Sequence, residues 1–182
     1  MKTSLSFILA FVISSLCLAQ DKYMTRTGHI SFLSDAPKEK IEAHNNQVIS
    51  ILTSKGDLLF KVPIKSFEFK QALMQDHFNE NYMESDKYDH ASFKGKILDF
   101  DKIDLKKDGK QMVDVEGDLT MHGVTKKIST KATLDIKGGK IDATTTFPVT
   151  LKDYNILIPK MASEKLQETV QVKADLNYEP SK

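Results

Sequence analysis

The chain contains five histidines, and one of them lies in a pattern that could bind a metal ion. His77 and Glu80 are three residues apart, so they would be neighbours on a helix surface, and Asp76 and Glu84 are close by in the sequence. Zinc sites use such carboxylate–imidazole pairs, but they need three or four ligands at set spacings, and no second pair accompanies this one. The pattern therefore favours a structural role for His77, on a helix surface or in a hydrogen bond.

His122 is the other histidine with an informative context, because it precedes a glycine between two strand-like segments. At such a turn the imidazole can bond to nearby backbone, and no nucleophile or paired carboxylate stands beside it in the sequence. His29, His44 and His90 are isolated signals. The chain has no Gly-x-Ser-x-Gly motif, no phosphate-binding glycine loop and no Cys/His cluster. We therefore expect no catalytic residues, no metal site and no enzyme activity.

The first 19 residues have the pattern of a signal peptide. Lys2 is followed by an apolar block from Leu5 to Ala19, which is shorter than the roughly 20 residues of a membrane-spanning helix. Cys17 and Ala19 are small, so we predict cleavage after Ala19 and export to the periplasm or the exterior. An uncleaved anchor or a lipidated Cys17 are the alternatives, although Leu16 stands where lipidation normally wants a small residue.

The remaining residues, 20–182, are predicted to form one domain. Without the leader the chain has no cysteine, and removing Lys2 leaves 25 basic residues against 25 acidic ones. This balance gives no argument for nucleic acid or an anionic membrane as a partner. A transient membrane contact and a homodimer stay open.

Two long alternating segments predict the central β-hairpin. Apolar and polar residues alternate from Val124 to Ile136 and again from Ile141 to Leu151, which is typical of strands with one buried face. Gly138 and Gly139 separate the two segments, and glycine tolerates the positive φ of tight hairpin turns.

The same alternation recurs along the chain and predicts an all-β fold of about eight antiparallel strands. One segment differs: Met74, Phe78 and Tyr82 recur every four residues, which predicts one short helix over about 72–85. Residues 41–45 give only a weak strand signal, and Pro63 predicts a bulge or an edge within a strand over 58–69. The other predicted strands are Lys22–Ser34, Val48–Thr53, Ala91–Phe100, Met112–Thr120 and Thr169–Tyr178. Closing such a sheet into a barrel would remove its exposed edges.

The predicted barrel interior combines small and large side chains. A barrel of about eight strands can be filled by side chains or can hold one small ligand. The small inward residues leave space, whereas interdigitation with phenylalanines would give a solid core, and the pattern alone allows both outcomes. The small residues are Gly95, Gly117, Ala132, Ala143 and Ala174, and the phenylalanines are Phe60, Phe93 and Phe147.

Two sequence blocks resemble the YceI-like family. The first runs from Met74 to Ser85 and continues through Lys87-Tyr88 to Ala91–Gly95, and the second runs from Val115 to Lys126. With the leader and the last strand, the resemblance covers essentially the whole mature chain. It implies a lipocalin-like antiparallel barrel, exported in bacteria, whose studied relatives hold a polyisoprenoid or an isoprenoid-quinone-like molecule. It implies no catalytic residues.

We therefore expect an exported protein that binds a hydrophobic small molecule, namely a polyisoprenoid, an isoprenoid quinone or another lipid, in its lumen. The predicted lining residues are Phe60, Val62, Ile64, Phe93, Ile97, Val115, Ile128, Leu134, Phe147 and Val172, and the predicted polar contacts at the mouth are Tyr82, Tyr88 and Tyr154. Two alternatives remain: a solid-core structural or interaction protein without a ligand, and an enzyme that acts on a lipid head group through His77 or His122.

Overall fold

The structure, a computed structural model, describes residues 22–181. The predicted signal peptide lies outside the described residues. The strands are β1 (Lys22–Asp35), β2 (Lys40–Thr53), β3 (Asp57–Pro63), β4 (Glu68–Phe69), β5 (His90–Ile97), β6 (Gly109–Met121), β7 (Val124–Lys137), β8 (Lys140–Thr150) and β9 (Thr169–Ser181). Helix α1 (Ala72–His77) continues into a π-helical turn at Phe78–Tyr82, and 3-10 turns cover Ile64–Ser66, Phe100–Lys102, Leu151–Tyr154 and Lys160–Ala162.

Eight of these strands form a closed antiparallel barrel, as the alternating pattern predicted. The strand order is β1-β9-β8-β7-β6-β5-β3-β2, and pairing between β1 and β2 closes the ring. The two-residue strand β4 pairs with Ala43 and His44 of β2 and does not belong to the closed ring. Closure satisfies the backbone groups that an open sheet would leave exposed at its edges.

The predicted hairpin is the β7–β8 pair. Its strands meet through Gly138 and Gly139, whose φ angles are +56° and +78°, a conformation that glycine adopts without strain. Ala132 and Leu134 are buried on the inner face of β7, whereas Thr133 between them is exposed. The period of two in the sequence therefore identified the inner and outer faces correctly.

The weak strand signal at 41–45 is confirmed, whereas the predicted strand over 58–69 is wrong. Residues 40–53 form one continuous strand. Asn45 is tolerated within it because this fully buried residue donates to the backbone carbonyl of Pro63 at 2.7 Å and accepts from the amide of Gln47 at 2.8 Å. Pro63 does not sit within a longer strand: β3 ends there and a 3-10 turn follows, because proline has no amide hydrogen to continue the ladder.

The two ends of the barrel differ. The strand registers place residues 36–39, 64–89, 122–123 and 151–168 at one end, which we call the helix end. Residues 54–56, 98–108 and 138–139 lie at the opposite end. The π-helical turn after α1 is held to the helix end by Phe78, whose ring lies 5.0–5.7 Å, centroid to centroid, from those of Phe32, Phe67 and Phe69.

Candidate functional site

A cavity of about 690 Å³ runs through the interior of the barrel. Each of the eight barrel strands contributes apolar side chains to its wall, because the inner faces of the strands all point to the barrel axis. All ten residues predicted to line the lumen do line this cavity: Phe60, Val62, Ile64, Phe93, Ile97, Val115, Ile128, Leu134, Phe147 and Val172. Their contact with a ligand stays a prediction.

The cavity ends in buried side chains towards the opposite end of the barrel. Leu52 and Tyr178 line it there and are 0% and 1% exposed. The Tyr178 hydroxyl donates to Ser50 Oγ at 2.6 Å, and that serine donates to the backbone carbonyl of Leu59 at 3.0 Å. Burial raises the pKa of Tyr178 well above its ordinary value, so the phenol stays neutral. The floor of the cavity is thus uncharged.

Two glycines in the barrel wall leave space for an aromatic ring. Gly95 on β5 and Gly117 on β6 are directly paired across the strands. A Cβ atom on Gly117 would lie 2.6 Å from Phe93 Cζ and 2.5 Å from the Gly95 Cα. The Phe93 ring therefore occupies the space that side chains at these two positions would fill, so it lies against the wall. The aromatic residues do not fill the lumen, and space remains beside them.

Two threonine hydroxyls in the lumen wall have hydrogen-bond partners within the wall itself. Thr145 donates its hydroxyl to the backbone carbonyl of Lys131 at 2.8 Å, and the Thr130 hydroxyl lies 3.3 Å from that of Thr145. Among residues 22–181, the lining residues of the Asp, Glu, Lys, Arg and His types lie towards the helix end; they are Glu39, His77 and Lys165. The cavity is therefore an apolar channel with its acidic and basic groups at one end.

The three tyrosines predicted at the mouth have different positions. Tyr82 lines the cavity, but Tyr88 and Tyr154 do not. The Tyr88 ring packs edge-on against the His122 ring with 4.6 Å between centroids, and Tyr154 is only 3% exposed. Burial, assisted by Asp153, raises the pKa of Tyr154. Placing these two tyrosines at the mouth was wrong, because both pack into the walls of the helix end.

His122 is a structural connection between three segments of the helix end. Its Nδ1 lies 3.0 Å from the carbonyl oxygen of Tyr154, and its Nε2 lies 2.7 Å from Glu84 Oε2. The residue is 9% exposed and has a left-handed φ of +50° in the turn between β6 and β7. The imidazole thereby connects this turn to residues 84–88 and to the segment after β8. The sequence predicted a backbone contact, but not these distant partners.

No group of three or more His, Cys, Asp or Glu side chains within residues 22–181 is arranged to hold a metal ion. His77 is exposed and lines the cavity at the helix end, whereas His122 does not line it. His29 and His44, isolated in sequence, are brought together by the β1–β2 register, with 3.1 Å between Nε2 of His29 and Nδ1 of His44. Their outer nitrogens face Asp175 and Glu42 at 3.5 and 3.6 Å.

The helices in the described part of the chain are all too short to cross a membrane.

Known structures with the same fold support this architecture. A polyisoprenoid binding domain from Saccharophagus degradans, implicated in plant cell wall breakdown, matches with a TM-score of 0.77 over 88% of this chain and 98% of that chain, at 17% identity. BcnA of Burkholderia cenocepacia matches with a TM-score of 0.69 over 82% of this chain and 95% of that chain, at 16% identity. At these identities the likeness concerns the fold alone.

Sequence comparison gives closer but shorter matches. A UPF0312 protein of Pseudomonas putida strain GB-1 is 35% identical over 100 residues, which is 50% of this chain and 47% of that protein. This chain thus spans about half the length of the curated relatives it matches. A model of the YceI-like domain matches residues 23–178, which include residues from every strand of the closed barrel. The chain therefore belongs to the YceI-like family.

Proposed function

We propose that this protein binds an elongated apolar molecule, such as a polyisoprenoid, an isoprenoid quinone or another lipid, in the barrel lumen and carries or sequesters it without catalysis. The observation that carries the proposal is the cavity of about 690 Å³ with apolar walls from all eight barrel strands. Pockets for small ligands typically measure about 300–1,000 Å³ and are mostly apolar. The family membership and the polyisoprenoid-binding neighbour support the same ligand class.

The ligand would enter from the helix end with its apolar chain pointing inward. The floor at Leu52 and Tyr178 is buried, while the acidic and basic lining residues Glu39, His77 and Lys165 lie at the helix end. Burial contributes about 0.8 kcal/mol per methylene, so a chain of ordinary lipid length binds without an ionic contact. A polar head group would remain near Tyr82 and His77.

Export is part of the same proposal. Residues 1–19 have the short apolar block and small residues of a cleaved signal peptide, which would place the carrier in the periplasm or outside the cell. A long apolar molecule is poorly soluble in water, so it needs a carrier protein to move through these aqueous compartments. Sequencing the N-terminus of the protein purified from the periplasm tests the predicted cleavage after Ala19.

A ligand series tests the binding. We expect the affinity for isoprenoid quinones to rise with chain length, by about fourfold per methylene at first, and to level off when the lumen is full. Ala132→Phe places a ring in the lumen and should shorten the longest chain accepted. Thr133→Phe adds the same ring on the exposed face and is the matched control.

Two results would overturn the proposal. One is that organic extracts of the natively exported protein contain no apolar small molecule by mass spectrometry, while the purified barrel takes up neither quinones nor fatty acids. The other is that uptake occurs but is equally affected by Ala132→Phe and Thr133→Phe, since the lumen would then not be the binding site.

A further inference from the structure

The rim of the cavity carries the side chains that a ligand head group would meet. We use this name for the charged, amide and imidazole side chains that line the cavity at the helix end, namely Glu39, Gln71, His77, Asn81 and Lys165. An apolar chain that fills the lumen down to the buried floor leaves its head group among these residues. The chemistry of the rim therefore decides which head groups the proposed carrier accepts, since a few polar groups usually set the specificity of an apolar pocket.

Glu39 differs from the other four rim residues in its burial. It is partly buried, whereas the other four are exposed. Glu39 makes no ion pair within residues 22–181, and its neighbour Lys38 is already paired with Glu164. A ligand that fills the cavity takes further water away from this carboxylate, which is costly unless the ligand supplies a hydrogen-bond donor or a cation.

The turn between β1 and β2 fixes the position of Glu39. The amide of Ala36 donates to the carbonyl of Glu39 at 3.0 Å, and the amide of Glu39 donates to the carbonyl of Ala36 at 3.3 Å. The amide of Lys38 donates to the carbonyl of Glu164 at 3.1 Å, which connects the turn to the segment after β8. An anchored turn thus presents the carboxylate to the cavity.

The surrounding charges disfavour an anionic head group. The segments at the helix end contain ten acidic and seven basic residues, whereas those at the opposite end contain four of each. Asp76 and Glu80, beside the rim in sequence, make no ion pair in the described part of the chain. Lys165 can attract an anion, but it is exposed, and exposed ion pairs contribute little because water screens them. An anion at the rim is therefore repelled by Glu39 without an equivalent gain.

We propose that the head group of the ligand is a hydrogen-bond donor without negative charge, a hydroxyl or an ammonium, and that the Glu39 carboxylate accepts its hydrogen bond. The proposal rests on the carrier function and narrows the ligand class. Ionised carboxylates and phosphates on the same apolar chain bind weakly, because they offer Glu39 only acceptors and a like charge. A hydrogen bond to an ionised carboxylate is stronger than one between neutral groups, so it distinguishes head groups that the apolar wall cannot.

Compounds that share one twelve-carbon chain test the head group. Dodecan-1-ol, dodecylamine, dodecanoate and methyl dodecanoate compete with the neutral fluorescent probe Nile red for the full chain at neutral pH. Each affinity is divided by the affinity for Glu39→Gln, because this ratio cancels the different solubilities of the compounds. We expect Glu39→Gln to weaken the amine about tenfold and the alcohol about threefold, and to strengthen the carboxylate about threefold. The ester has no donor, so its affinity should stay unchanged and shows that the variant is folded.

Glu80→Gln is the matched control, because it removes the same charge at the same end of the barrel from a residue that does not line the cavity. It should change each affinity by less than about twofold, since an exposed charge acts on the ligand only through water. Equal effects of the two substitutions, unchanged amine and alcohol affinities in Glu39→Gln, or a weaker carboxylate in that variant would overturn the head-group proposal and leave the carrier function in place. Failure of the probe and of all four compounds to bind would overturn the carrier function and this proposal with it.

Discussion

The His122 connection can be tested by removing the imidazole while keeping the backbone turn. His122→Asn is the appropriate change, because asparagine is tolerated at the left-handed φ of +50° found there. The shorter side chain cannot reach both the carbonyl of Tyr154 and the carboxylate of Glu84. A substitution by alanine would mix the lost hydrogen bonds with backbone strain.

The expected destabilisation follows from the burial of the two partners. The Tyr154 carbonyl lies in a buried residue, and leaving it without a donor costs about 1–3 kcal/mol. The Glu84 side chain is 49% exposed and regains water, so its contact contributes only about 0.2–1 kcal/mol. We therefore expect His122→Asn to lower the free energy of unfolding by about 1–4 kcal/mol, which is about 2–16 °C in Tm for a chain of this size.

Chemical denaturation and hydrogen exchange measure this effect. Amides in residues 84–88 and 151–156 should lose protection before those of β6 and β7, because the imidazole joins these two segments to the turn. His77→Asn is the control, since His77 is exposed and should change stability by less than about 0.5 kcal/mol. A loss below about 0.5 kcal/mol for His122→Asn, with unchanged exchange in both segments, would refute the reasoning.

Two further substitutions test the floor and the wall of the cavity. Tyr178→Phe should cost about 1 kcal/mol at neutral pH through the lost bond to Ser50. Because the folded-state pKa of Tyr178 is raised, unfolded chains lose the phenol proton first, so stability falls above about pH 10 in the unsubstituted protein and less in the variant; urea denaturation at pH 7 and pH 11 that shows a constant difference would contradict this. Gly117→Ala should cost about 1–3 kcal/mol in urea denaturation. In a Phe93→Ala background, Gly117→Ala should cost less but should still destabilise the protein, since the new Cβ also meets the Lys94 carbonyl oxygen at 2.6 Å. A Gly117→Ala substitution without any cost in that background would show that the ring alone is the obstacle.

The alternation of apolar residues predicted most of the strands, the closed barrel and the ten cavity-lining residues. A period of two assigns each inward position locally, so Ile128, Leu134 and Phe147 could be placed without knowing any tertiary contact. Closure followed from the number of strands and from the stability problem of exposed edges. The alternation did not predict the size of the lumen, because a Phe93 ring that crossed the barrel axis would have filled it.

Contacts between distant segments explain the errors. Tyr88 and Tyr154 pack into the helix end, around His122. Nothing in the sequence spacing shows that residues 84–88, 122 and 154 meet, since their proximity results from three loops at the same end of the barrel. His29 and His44 meet for a similar reason, because only the β1–β2 register makes them neighbours.

In the proposed carrier, the different construction of the two barrel ends would determine the direction of ligand movement. At one end the fully buried Leu52 and the neutral Tyr178–Ser50 pair leave no route for an apolar chain without breaking packing and a buried hydrogen bond. At the helix end, the cavity reaches exposed side chains between α1 and the segment after β8. Entry and release of the proposed ligand would therefore use the same opening. A carrier with one opening can exchange its ligand only with whatever that opening faces, which is why the chemistry of the rim, rather than that of the lumen, would select the donor and the acceptor.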